Sequence, residues 1–311
     1  MPDQALAVDL GGTKTSWALA DSAYRLTNRR EIPTPRSTEE IIAVLRRIIG
    51  ETKSTSEHIR GVGIGVAGLV DFADGTIVAA PNLPLDGVRL ADELGSSEID
   101  CFIDNDANLA VLGELYAGAG QGHSLFIGLT IGTGVGGGIV VDGGLWRGSR
   151  GGAAEFGHMV VDGNGVPCTC GSRGCLEQMA SGTALERFGR EYVSANPSSS
   201  LAALFAGDPA NVSGRAIAKA AREGDGEALS LFHELGRWLG IGIGSLINIF
   251  NPELVILGGG VASSLDLVMK TVRTQVREVA VDPRAKETPL TLSTLENTAG
   301  LIGAAGLVLD R

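Results

Sequence analysis

The run Ala5-Leu6-Ala7-Val8-Asp9-Leu10-Gly11-Gly12-Thr13-Lys14-Thr15-Ser16-Trp17-Ala18-Leu19-Ala20 (residues 5–20) holds two apolar strands joined by a glycine turn. The turn leads into a strand, not a helix, so it is no dinucleotide fingerprint, and GxxxxGK[ST] is absent. Glycines let backbone N–H groups approach phosphate oxygens. Thr13 adds a hydroxyl donor, Lys14 adds charge, and Asp9 is placed to hold Mg²⁺ through water. Asp9, Gly11, Gly12, Thr13 and Lys14 are therefore candidate nucleotide-binding residues. The pattern restarts about 120 residues on, as Leu125–Ile131, then Gly132-Thr133-Gly134, then Val135–Val141. Two related lobes, each opening with such a hairpin, would set two phosphate-cradling turns across one cleft.

Outward from these hairpins, strands and helices alternate, which makes the class α/β. Ser37-Thr38-Glu39-Glu40 is a capping box ahead of an apolar helical face of Ile41, Ile42, Leu45, Ile48 and Ile49. Strands are expected at Arg60–Val70, Glu98–Ile103 and Leu254–Leu257. Helices are expected at Ala107–Ala119, Glu177–Ala195, Ser213–Glu223, Ala228–Phe250, Ser264–Val281 and Thr298–Leu309. The apolar run Leu235–Phe250 exceeds what one lobe needs and points to self-association.

Glycine supplies 46 of the 311 residues, about twice the usual ~7%, in short runs that suit loops approaching a ligand. A net charge of −11 excludes a basic nucleic-acid footprint. The first nine residues lack Lys and Arg, so no signal-peptide start is present. The 17 residues Leu125–Val141 contain six glycines and fall short of a ~20-residue membrane span. A soluble cytoplasmic protein is expected.

Three of the four cysteines, Cys168, Cys170 and Cys175, fall within eight residues, with His158 upstream. Three thiolates and an imidazole form a tetrahedral Zn²⁺ set, closed and hence structural. Its service is to fix His158 and Glu177, leaving the second ring nitrogen of His158 for a substrate hydroxyl, with Glu155 and Glu177 as further acceptors. Asp104-Asn105-Asp106 ends a strand and opens a helix, where carboxylates serve as caps and also suit a ligand crevice. Cys101 is expected as a small buried hydrophobe. His58, His123 and His233 are expected to be surface or structural, and Trp17, Trp146 and Trp238 to lie in the core.

Together these motifs resemble the ROK family of sugar kinases and sugar-responsive repressors. The resemblance runs in order along nearly the whole chain: DLGGTK (9–14), GVAGLVD (65–71), APNLP (80–84), DNDAN (104–108), IGTGVGGG (131–138), EFGH (155–158), CTCGSRGCLE (168–177) and LGGG (257–260). It implies an actin-like (ribonuclease H-like) two-lobe sugar kinase fold with an interlobe cleft. The smaller lobe would span residues 1–117 plus 299–311, with the C-terminal helix packed back on it, and the larger lobe 118–298. The resemblance further implies ATP, Mg²⁺, a hexose and structural Zn²⁺. Asp106 resembles the general base. Asn105, Glu155, His158 and Glu177 resemble hexose hydroxyl binders, with Gly68 and Asn82 beside them. Thr133 and Gly134 resemble the second phosphate loop, and Gly259 and Gly260 the adenosine contact. Ala154 stands where the family often has Gly, and Leu85 where it often has Trp. The run AAEFGH resembles the glucokinases of high-GC Gram-positive bacteria.

The expected activity is transfer of the ATP γ-phosphate to the 6-hydroxyl of glucose. The alternatives are a kinase for mannose, an N-acetyl amino sugar or fructose, and a polyphosphate-using enzyme. A repressor is disfavoured because the first strand begins at Ala5. By family, a homodimer or homotetramer is expected. Asp106→Asn should be severe and Asp104→Asn mild.

Overall fold

The computed structural model describes residues 3–56, 58–95, 99–260 and 262–310. The opening hairpin is β1 (Gln4–Leu10) and β2 (Lys14–Asp21), antiparallel, with Leu10 opposite Thr15. Strand β3 (Leu26–Pro33) adds to β2; it is almost wholly exposed and carries no apolar period for sequence reading to find. Helix α1 (Thr38–Thr55) starts at the capping box: Ser37 Oγ accepts the Glu40 N–H at 3.3 Å. Strand β4 (Ile59–Val66) lies parallel to β1. The single strand expected over 60–70 thus breaks at Val66. The chain resumes as a separate ribbon, β5 (Leu69–Asp71) with β6 (Thr76–Ala79). Helix α2 (Leu90–Leu94) precedes β7 (Asp100–Asn105), parallel to β4, and α3 (Asp106–Ala117) follows directly. Glu98, the expected start of that strand, lies outside the described residues.

The second set comprises β8 (Phe126–Ile131), β9 (Val135–Val141), β10 (Gly144–Leu145), α4 (Leu176–Ala180), α5 (Gly182–Ala195), α6 (Ser200–Leu204), α7 (Gly214–Arg222), α8 (Gly226–Phe250), β11 (Leu254–Gly258), α9 (Met269–Val279) and β12 (Leu290–Leu292). The chain ends in α10 (Ala299–Leu309). One sheet has the order β3-β2-β1-β4-β7, the other β10-β9-β8-β11-β12. Each therefore runs third, second, first, fourth, fifth strand in chain order, and the repeat of the glycine hairpin is a repeat of sheet topology. By packing, residues 1–128, 137–154 and 294–311 form one unit, and 129–136 with 155–293 form another.

In the first unit the two-residue period of β1 sorts side chains by size. Leu6, Val8 and Leu10 join α1's Ile41 and Leu45 in one core cluster. Ala5 and Ala7, with Ala18 and Ala20 of β2, join Leu109 and Leu112 of α3 and Leu301, Ala304 and Ala305 of α10 in the other. That face is small because α10 approaches at backbone distance. A Cβ at Gly63 of β4 would meet the Ala304 carbonyl at 1.8 Å, and one at Gly303 would meet the Leu109 carbonyl at 1.8 Å. Some of the glycine excess thus serves helix packing, not ligand loops.

In the second unit the expected helix over 177–195 is two helices, because Ser181 caps α5 by accepting the Ala184 N–H. The expected helix over 264–281 begins only at Met269, after a 3₁₀ stretch. Helix α8 buries Leu235, Leu239, Ile243 and Leu246 within the chain. Its Gly240 and Gly244 lie against Gln275 and Val279 of α9, and Gly242 against Leu176 of α4. That packing accounts for most of the apolar run within the chain, while Ile249 at its end stays 66% exposed. Trp146 is 47% exposed, not a core residue as expected. Trp17 is half-buried against the first core, and the half-buried Trp238 donates its indole N–H to Glu234. No described helix is long and apolar enough to cross a membrane.

Candidate active site

The first turn is rigidly built. Gly11 N–H donates to the Lys14 carbonyl at 3.0 Å, and Thr34 Oγ1 donates to the Gly11 carbonyl at 2.7 Å. A Cβ at Gly12 would lie 2.6 Å from Asn82 Cβ, so the APNLP loop packs directly on the turn. Lys14 pairs with Glu31 at 3.0 Å, both exposed, a link of little stability that an anion can compete for. Asp9 faces Gly300 of α10. Burial raises its carboxyl above the ordinary 3.8, offset by Lys14 and Arg29. The folded state therefore holds this proton more tightly than the unfolded chain, and stability falls as pH rises from about 3.8 through the raised value. Asp9→Asn is expected to raise Tm at neutral pH while lowering turnover. A thermal melt in which Asp9→Asn lowers Tm would contradict this.

Asp106 is the first residue of α3. Its Oδ1 accepts the Ala107 N–H at 2.8 Å and an Asn105 amide N–H at 3.2 Å. Asn105 caps α3, its Oδ1 accepting the Asn108 N–H at 3.0 Å, while its Nδ2 donates to the Gly68 carbonyl at 3.0 Å. Gly68, Asn105 and Asp106 thus form one hydrogen-bonded set. A side chain at Gly68 would collide with the Ala79 carbonyl at 2.5 Å, so this close approach requires glycine.

In the second unit His158 ends a short 3₁₀ turn that begins at Phe156. The ligand atoms of His158, Cys168, Cys170 and Cys175 all lie within 4.8 Å of one another. His158 Nδ1 is 3.7 Å from Cys168 Sγ, and Cys170 Sγ is 3.7 Å from Cys175 Sγ. Tetrahedral zinc with Zn–S of about 2.3 Å and Zn–N of about 2.0–2.1 Å needs separations of about 3.6 and 3.8 Å. The donor set fits the metal, and it uses Nδ1, leaving Nε2 of His158 outside the cluster. Gly174 permits the fold of the loop: its φ is +64°, and a Cβ would strike the Asp162 carbonyl. Without metal, burial pushes the Cys175 thiol up to about 12.

Glu177 lies in α4 with Oε1 3.8 Å from Cys168 Sγ. Its other oxygen would be 2.3 Å from a Cβ at Gly134, so the carboxylate occupies the space that a larger residue in the second turn would need. Glu155 neighbours both: burial raises its carboxyl, His158 lowers it and Glu177 raises it. The second turn is tied to α5, with Gly182 N–H donating to the Gly132 carbonyl at 2.8 Å and Thr183 Oγ1 to the Thr133 carbonyl at 2.7 Å. Gly259 has φ of +95°, and a Cβ there would meet the Ile131 backbone at 2.5 Å; Gly260 is open and exposed.

The candidates therefore fall into two groups. Asp9, Gly11, Gly12, Thr13, Lys14, Gly68, Asn82, Asn105 and Asp106 belong to the first packing unit. Thr133, Gly134, Glu155, His158, Cys168, Cys170, Cys175, Glu177, Gly259 and Gly260 belong to the second. Sequence reading missed Arg147, which donates to Asp104 across 43 residues. No local pattern announces such a pair. Cys101 is partly buried, its thiol pushed up to about 11 by burial and by Asp100, consistent with an inert packing residue.

Comparison with known proteins supplies the context for this geometry. The chain is 37% identical over 309 residues to a glucokinase of Streptomyces coelicolor, covering 98% of this chain and 97% of that protein. It is also 37% identical over 310 residues to a glucokinase of Thermotoga maritima, covering 98% and 97%. Among solved structures, a ROK family glucokinase from Streptomyces griseus, in complex with glucose and AMPPNP, superposes with a TM-score of 0.85 at 37% identity, covering 99% of this chain and 100% of that one. The two five-stranded sheets of like order are those of the actin-like sugar kinase fold. The model of the ROK family matches residues 5–311, and the chain belongs to that family.

Proposed function

We propose that this ROK protein is an ATP-dependent glucokinase with Asp106 as general base. The observation that carries the reading is the end-to-end likeness to glucokinases, one of them solved with glucose and AMPPNP. In this reading Asn105, Glu155, His158 and Glu177 hold the ring hydroxyls, with Gly68 and Asn82 beside them. The 6-hydroxyl lies at Asp106, which accepts its proton as the oxygen attacks the γ-phosphorus in line. Gly11, Gly12, Thr13 and Lys14, with Thr133 and Gly134, offer N–H, hydroxyl and ammonium groups to the phosphate oxygens. Gly259, tight on the Ile131 backbone, and the open Gly260 form the adenosine contact in this reading. Asp9 would hold Mg²⁺ through water, which when bound neutralises charge on the β- and γ-phosphates. His158 and the three cysteines would hold Zn²⁺, which when bound would fix this loop and leave His158 Nε2 for a sugar hydroxyl. The proposal extends to a cytoplasmic homodimer or homotetramer. Light scattering tests the assembly, and a 32 kDa particle at micromolar concentration would refute it.

Sugar choice is the direct test. A site built to bond a hydroxyl is left with unpaired buried groups when that hydroxyl is missing, at about 1–3 kcal/mol, or roughly 5- to 150-fold in kcat/KM. In an ATP-coupled assay glucose is expected to exceed 2-deoxyglucose by that factor. N-acetylglucosamine should be poor, because its acetamido group crowds the Glu155–His158–Glu177 wall. Polyphosphate should not replace ATP. A higher kcat/KM for N-acetylglucosamine than for glucose would overturn the substrate assignment.

A further inference from the structure

Asp104 was expected to tolerate loss of its charge, yet it is 1% exposed at the end of β7. It accepts three hydrogen bonds: from Asn105 N–H at 2.8 Å, from Asn108 Nδ2 at 3.0 Å and from Arg147 Nε at 2.7 Å. The first two come from the opening turn of α3, which carries the cap residue and the base. The third comes from the segment after β10. Arg147 is itself mostly buried, its guanidinium carbon 3.7 Å from the centre of the Phe72 ring. Phe72 directly follows β5. The residues after Arg147 lie tight on that ribbon, since a Cβ at Gly151 would be 2.4 Å from the Val70 carbonyl. The same ribbon is approached from its other end by Asn105, through the Gly68 carbonyl.

Arg147 therefore joins two things that meet nowhere in sequence: the turn presenting Asn105 and Asp106, and the ribbon behind Gly68. A buried carboxylate with one guanidinium partner is costly to break, because the remaining charge is stranded. A carboxylate that accepts the N–H of Asn105 also fixes where the next residue points. We infer that Asp104 and Arg147 are positioning residues for Asp106, a buried ion pair that sets the aim of the base. The inference rests on reading Asp106 as the base. Misplacing a reacting group by about 1 Å costs on the order of 10²-fold in rate.

The test uses the full-length enzyme and four variants: Asp104→Asn, Arg147→Lys, the two combined, and Asp106→Asn. Each is assayed for kcat, glucose KM and ATP KM well below its own Tm. Asp104→Asn is expected to lower kcat about 30- to 100-fold, with ATP KM changed less than about twofold. Arg147→Lys keeps the charge but loses the planar fork and ring stacking, so a loss of about fivefold or more is expected. The combined variant should be no worse than Asp104→Asn, because the pair acts as a unit. A purely structural role would lower Tm and leave kcat of the folded protein intact. If Asp104→Asn and Arg147→Lys both keep kcat within twofold while Asp106→Asn is inactive, the inference fails and the base assignment stands. If Asp106→Asn is active, the base assignment itself fails. Should Asp104→Asn not fold, Arg147→Lys decides alone by the same fivefold criterion.

Discussion

Asp106→Asn should leave a protein that folds, binds glucose and binds ATP, yet turns over roughly 10²–10⁴ times more slowly than the native enzyme. The amide keeps the shape of the carboxylate. It can still accept the Ala107 N–H, so the start of α3 is undisturbed. What it cannot do is take a proton from the attacking hydroxyl. The loss should therefore appear in kcat, with glucose KM and ATP KM changed little. Steady-state kinetics with a coupled ATP assay, together with calorimetric titration of glucose, separates the two. Near-native turnover in Asp106→Asn would remove the carboxylate from the mechanism.

The zinc loop should give the second large effect. About one tightly held Zn²⁺ per chain is expected, and Cys170→Ser should lose metal and activity together. Cys170 is the exposed cysteine of the set, so a serine there disturbs packing little. The damage follows from what the loop holds. Cys168 Sγ sits beside both His158 Nδ1 and Glu177 Oε1, so releasing the metal would free at once two side chains proposed to hold the sugar. A 10- to 100-fold loss in glucose kcat/KM is the expected scale. Ligands must shed protons to bind, so zinc should also dissociate more readily as pH falls. Elemental analysis reads the metal content directly; fully active protein without zinc would defeat the assignment.

Much of this was legible in one dimension. The glycine hairpins are local, because a tight turn and two alternating strands need only neighbouring residues. Hence β1, β2, β8 and β9 lie within a residue or two of where they were expected. The cysteine loop was readable for the same reason: three donors in eight residues leave few geometries. Strand β3 was not readable, because an exposed edge strand takes its place from hydrogen bonds to β2 and not from any apolar pattern. The break between α4 and α5 was also hidden, since a serine cap within a helix-favouring run shows itself only when its partner N–H is in place.

The sequence by itself determined the class, the repeated hairpin, the family motifs and the donor set of the metal loop, all of which depend on residues close in the chain. Tertiary structure decided the rest. It showed that Gly63 and Gly303 serve helix packing, that most of the apolar face of α8 is buried within the chain, and that Glu177 fills the space beside Gly134. It also made Asp104 a buried, paired carboxylate where sequence left an ordinary helix-start residue. The physical reason is that burial and long-range pairing are properties of the folded neighbourhood. Asp104 and Arg147 are 43 residues apart, and no local rule of spacing or propensity makes one the counter-ion of the other.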